Sequence, residues 1–210
     1  MTPAPAHPNM PIAEIEQAHA LHIWIKQRLS GLSMPGDRNA DLSISAFDAV
    51  VKHHLGITLL LKCGVYGSAF ALLRSVFETY VRGCWLRYCA TEADLDRFRK
   101  DQLDIKFGAL VAAVEAVPGF EAGVLSGLKK SSWNAMNSLT HGGMQQLGRR
   151  MRDNVIEPDY SSDEVMHVAR LSISFAHLSF QKVTRAAGRD DLALESFEML
   201  ELRAAGWPTV

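Results

Sequence analysis

The chain has 210 residues, 48% of them hydrophobic and 21% charged, and a formal net charge of −1. This is the composition of a soluble globular protein with one sizeable core, and it excludes a global pull toward nucleic acid or anionic membrane; binding of either kind would need a local patch. The three cysteines, Cys63, Cys84 and Cys89, have no CxxC spacing. They argue against a disulfide framework or a cysteine zinc site and fit a reducing, cytoplasmic setting.

The start, MTPAPAHPNMPIAEIEQ, has no basic segment followed by an apolar run, and its prolines predict a loose tail over 1–11. From 12 to 210 nearly every long segment repeats its apolar residues with a period near 3.6, so a single all-helical domain of seven to eight helices is expected. The first helix spans 12–29, with Ala18, Leu21, Ile25 and Leu29 on one face. The second spans about 43–63 and turns Ile44, Phe47, Val51, His54, Thr58 and Leu61 inward. The third, about 68–90, is apolar on more than one side and belongs at the centre. The most apolar stretch, 55–73, is interrupted by Lys62, Gly64 and Gly67 and is too broken for a membrane span.

Thr91, followed by Glu92 and Asp94, restarts the chain as a fourth helix that Pro118 and Gly119 stop. A fifth helix covers 124–141 and closes on Gly142 and Gly143, and a short basic helix follows over MQQLGRRMRDN. Ser161 with Glu164 fits a capping box that opens a helix running to about 187, with Gly188 as its stop. Asp190 caps a last helix through 205.

Two helices carry polar residues at telling spacings. On the third, Arg74, Glu78 and Arg82 fall at i, i+4 and i+8 beside the core stripe, and a charged ladder there needs partners. It reads either as an internal Arg–Glu–Arg ladder orienting two helices or as a site with one Arg free for a phosphate. On the fifth, Trp133, Asn137 and His141 share a face, with Thr140 beside them. His141 reads as a general acid or base with Asn137 orienting the substrate, or as a cap on the last carbonyls of the helix. Lys129 and Lys130 lie just before this stretch, and Arg149, Arg150 and Arg152 just after it, a local hint of an anionic partner.

Other histidines read as structural. His54 lies on the core stripe and is expected to bond Glu78 or a neighbour of Arg74. His167, Arg170, Ser174, His177 and Gln181 form a polar stripe that reads as a solvated or interfacial face. Glu16 with His19, and Glu164 with His167, have the Glu-x-x-His spacing of di-iron bundles, but both fall in first turns that the helix dipole explains, so neither metal nor cofactor is expected.

MNSLTH, residues 136–141, resembles the core motif of the HEPN superfamily of helical nucleases and nucleotide binders: an Arg, a polar residue that is often Asn, three further residues, then His. Asn137 and His141 match the last two elements, and Met136 stands where the motif has its Arg. Together with GSAFALLRSVFETYVRGCWL and WNAMNSLTHGG, the chain looks like an uncharacterised group of bacterial helical proteins over roughly residues 45–180, some HEPN-like and some linked to phage defence. The resemblance implies an RNA or nucleotide ligand, a phage-defence or toxin–antitoxin setting, and a homodimer that builds one site from two chains. His141, Asn137 and Arg74 would be the catalytic set. Glu78, Arg82, Trp133, Thr140, Arg149 and Arg150 would line the binding surface, with Arg74 and Arg82 supplying the cation that Met136 lacks. The other reading is a non-catalytic helical scaffold or antitoxin-like partner protein.

Overall fold

The computed structural model describes residues 10–34, 36, 38–151 and 154–207. Among them the chain forms nine helices and no strand: α1 (Ile12–Leu29), α2 (Arg38–Lys62), α3 (Tyr66–Tyr88), α4 (Glu92–Arg99), α5 (Phe107–Glu115), α6 (Val124–Thr140), α7 (Met144–Leu147), α8 (Ser162–Ala186) and α9 (Asp190–Ala204). The all-α bundle is as the periodicity predicts. Most of the tail predicted over 1–11, and Arg152 of the basic cluster, lie outside the described residues.

The two restarts are capped as their sequences suggest. Thr91 Oγ1 accepts from the Asp94 N–H at 3.2 Å while the Asp94 carboxylate accepts from the Thr91 N–H at 3.1 Å. Ser161 and Glu164 do the same at the head of α8. Each box satisfies two backbone donors that the first helical turn leaves open.

The core is built around α2, α3 and α8, which pack against one another, with α1 and α9 closing one side and α5 and α6 the other. Phe47, Phe77, Val81, Cys84 and Phe175 fill the larger cluster, and burial pushes the Cys84 thiol up to about 12. Leu21, Ile25, Val51, Ile173, Phe180 and Leu192 fill a second one between α1, α2, α8 and α9. By length and composition α2 could cross a membrane, yet its apolar stripe is packed on α3 and α8. The α2–α3 approach is close because Gly83 lacks a side chain: a Cβ there would stand 2.8 Å from Phe47 Cε1 and 3.2 Å from Ala46 Cβ.

Several expectations need correction. The predicted fourth helix is two. Asp101 takes a left-handed backbone (φ 55) and ends the first piece, and Leu103 and Ile105 then turn inward alternately before Phe107 opens α5. The basic helix lasts four residues, so Arg149 and Arg150 lie beyond it. Arg189 precedes α9, and no side chain caps that helix; Asp190 is its first residue. Cys63 lies just past α2 and is exposed.

The histidines differ too. His54 is fully buried and reaches neither Glu78 nor a neighbour of Arg74. Its Nε2 donates to the Ala18 carbonyl at 3.0 Å, and its Nδ1 lies 2.7 Å from Ser172 Oγ. His177 and Gln181 are buried rather than solvated: α9 folds back over His177, whose Nδ1 meets Ser196 Oγ at 2.9 Å, and Gln181 lies beside Tyr80, Phe120 and Leu125. Burial lowers both imidazoles, His54 to about 4 and His177 to about 3, with Arg203 adding to each.

Two outcomes follow. Gly83→Ala gains about 0.5–1 kcal/mol of helix propensity but must displace a buried phenyl ring, which costs about 1–3 kcal/mol, so urea unfolding should show a net loss. The unfolded chain carries imidazoles near 6.5 and the folded chain holds them lower, so unfolding takes up protons in the window between. Stability should be level above pH 7 and fall from pH 6.5 toward 4. His177→Phe should remove one proton from that uptake; an unchanged slope would mean His177 is charged in the fold.

Candidate functional site

α6 lies along α3 in the opposite direction. Thr140 Oγ1 donates to the Met136 carbonyl at 2.8 Å and sits 3.3 Å from the Ala71 carbonyl. One turn on, the Arg74 guanidinium lies over the Trp133 ring, 4.9 Å from its centroid. The other face of that indole stacks on Phe107 at 4.5 Å and 10°, and Phe107 meets Phe77 edge-on at 5.1 Å. The aromatic stack therefore ties the core to a charged edge.

On this edge all three nitrogens of Arg74 are engaged. Nε and Nη2 donate to Glu78 Oε1 at 3.0 and 2.9 Å. Nη1 donates to Nε2 of His141. A guanidinium can only donate, so Nε2 must be the acceptor and the ring proton sits on Nδ1. Arg74 thus holds the nitrogen that a general base would need free. His141 is also the C-cap of α6, through its backbone rather than its imidazole. It is exposed where α6 ends, Gly142 continuing the chain with φ 69, and only its backbone N–H reaches Asn137 O, at 3.0 Å.

Asn137 is half-buried a turn below, and its Oδ1 is enclosed without a partner among the described residues. Arg82 is half-buried and makes no ion pair among the described residues, so the ladder is an Arg74–Glu78 pair with Arg82 apart. Arg149 belongs elsewhere: it pairs with Glu164 at 2.6 Å and lies over the Tyr160 ring. Arg150 is exposed near Gly67. The structure thus joins Arg74, Glu78, Trp133, Thr140 and His141 in one patch and leaves Arg149 and Arg150 outside it.

The opposite side of α6 faces a cavity of about 350 Å³. Phe70 and Leu73 of α3, Met136 and Leu139 of α6, and Val168 and Leu171 of α8 make its floor. Gln145, Arg149, Asp163, Glu164 and His167 stand around its mouth, and Ser131 and Ser132 line it about two turns away along α6. Five residues at about 100° each turn position 136 roughly 140° away from position 141, and Met136 is buried accordingly. The position of the motif Arg therefore looks into the cavity, away from His141. At the mouth, burial alone would raise the Glu164 carboxyl; its bonds from Ser161 and Arg149 outweigh that and hold it below the ordinary value. Burial and nearby Arg170 lower the His167 imidazole. Of the residues singled out for the site, only Arg149 lines this cavity. Its floor reads in sequence as ordinary core, and it becomes a cavity only when three helices meet around it.

The two Glu-x-x-His pairs do not meet. Glu16 pairs with Lys62 at 2.9 Å on one side of the bundle and Glu164 with Arg149 on another. Among the described residues no three His, Cys, Asp or Glu side chains are grouped to hold a metal ion.

The model of a family of unknown function, DUF6988, matches residues 47–201. The chain belongs to this family. No curated protein and no solved structure matches it. The matched segment holds the whole polar edge and the whole cavity, and leaves α1 outside.

The Arg74 and Glu78 side chains are 19% and 33% exposed, so their pair is neither sealed nor free. Glu78→Ala should cost about 1–2 kcal/mol in urea unfolding, between the values for surface and buried pairs, because Trp133 and His141 still hold Arg74. A loss above about 3 kcal/mol would mean that water does not reach the stranded guanidinium.

Proposed function

We propose that this chain is a HEPN-like helical protein that binds RNA or a nucleotide at the α3–α6 edge. The observation that supports this reading is the direct contact of Arg74 with His141, residues from two helices that meet on an exposed surface. Arg74 is pre-set for a phosphate: Glu78 and the Trp133 ring fix its plane, while Nη1 points at His141. A phosphate entering between the two side chains would take the Nη1 proton in place of Nε2. The released Nε2 could then accept a proton from a ribose 2′-hydroxyl. Arg82, Lys129 and Lys130 would extend the field along the same pair of helices.

Cleavage asks for charge stabilisation beyond one guanidinium, and Met136 brings none to this edge. Binding without turnover is therefore the form of the reading that fits the residues best. A second reading, a non-catalytic partner protein, draws support from the exposed apolar residues Met144, Leu147, Met151, Val155 and Ile156, which cluster in sequence just after α6. Patches of that kind mark protein contacts more often than nucleic-acid contacts.

The test is His141→Ala and Arg74→Gln beside the wild type, with anisotropy of a labelled single-stranded RNA, a cleavage gel and a melting curve. His141→Ala should weaken RNA binding about tenfold or more with Tm shifted by less than about 2 °C. Binding of the wild type should weaken steeply with salt. Equal RNA binding by all three proteins, or none by the wild type, would overturn the nucleic-acid reading and leave the partner protein.

A further inference from the structure

We propose that the cavity between α3, α6 and α8 is a binding site for a small amphiphile with an apolar body and a cationic amine head. This site is separate from the α3–α6 edge and does not rest on the RNA reading. Its volume, about 350 Å³, lies in the range of small-molecule pockets, and its make-up is theirs as well: apolar walls with a few polar groups among them. Leu73, Met136, Leu139 and Val168 offer the body of a ligand no polar partner. The side of α6 that carries the motif departure is the side that makes this floor. A long cationic side chain at position 136 would put its charge into the cavity; a Met leaves it open and apolar.

The mouth decides the head group. Arg149 is already matched, pairing with Glu164 at 2.6 Å and donating to Gln145 Oε1 at 3.1 Å. Asp163 is exposed at the rim and makes no ion pair among the described residues. His167, lowered by burial and by Arg170, is uncharged at neutral pH and adds no positive charge. One negative charge is therefore left over at the opening. An ammonium would meet Asp163, whereas a carboxylate or phosphate would face that same uncompensated charge, a repulsion that selects against anions.

The test is calorimetric titration of the full chain with octylamine and, separately, octanoate, two probes with the same chain length and opposite heads. Octylamine should bind one per chain, and octanoate about tenfold more weakly or not at all. Asp163→Asn should weaken octylamine about fivefold and leave octanoate unchanged or stronger. Ala135→Phe, at an exposed position on the rim, should abolish octylamine binding while Tm holds. His141→Ala, on the other side of α6, should bind octylamine like the wild type, so that failure of the RNA reading leaves this result standing. Octanoate binding as tightly as octylamine, octylamine binding that ignores both rim variants, or no binding of octylamine would each overturn the proposal.

Discussion

The seating of α6 on α3 depends on the stack that runs from Phe77 through Phe107 and Trp133 to the Arg74 guanidinium. It is anchored in the core at one end and open to solvent at the other. An aromatic stack fixes both distance and rotation, because offset and edge contacts each allow a narrow range of ring positions. With Trp133 held, the rotation of α6 about its own axis is held too. The arrangement of His141 toward Arg74 and of Met136 away from it follows from that one constraint.

This makes the polar edge and the cavity two results of the same helix placement. Residues 133, 137, 140 and 141 fall on one side of α6, and 132, 135, 136 and 139 on the other. A motif read along the chain joins positions 136, 137 and 141 as if they served one site. In the fold, position 136 serves the apolar side. The Met at that position is part of the packed face of α6.

Much of the fold was legible in the sequence because an amphipathic helix writes its buried side every three to four residues. The bounds of α1 and the inward stripe of α2 from Phe47 to Leu61 could be read that way. The break between α4 and α5 could not, since it turns on one left-handed residue, Asp101, followed by a short alternating run that a helical period overlooks. His177 and Gln181 misled for another reason. A polar stripe on α8 means solvent only until α9 is laid across His177 and the chain around Phe120 across Gln181. At the candidate site, spacing gave the pairing of Arg74 with Glu78 within α3. The contact between helices was an expectation from adjacency, and the use of Nε2 in it followed from the crossing geometry alone. The cavity left no mark in the sequence, because an empty volume belongs to no single residue.

The buried imidazole of His54 has a consequence for what counts as the folding unit. Its Nε2 proton is accepted by the Ala18 carbonyl of α1, a helix that precedes the segment matched by the family model. Leu21 and Ile25 of the same helix complete the second hydrophobic cluster with Val51, Ile173 and Phe180. A fragment cut to residues 47–201 would therefore open that cluster to water and leave an enclosed N–H without an acceptor. The inherited pattern that defines the family is shorter than the piece of chain that can keep itself dry.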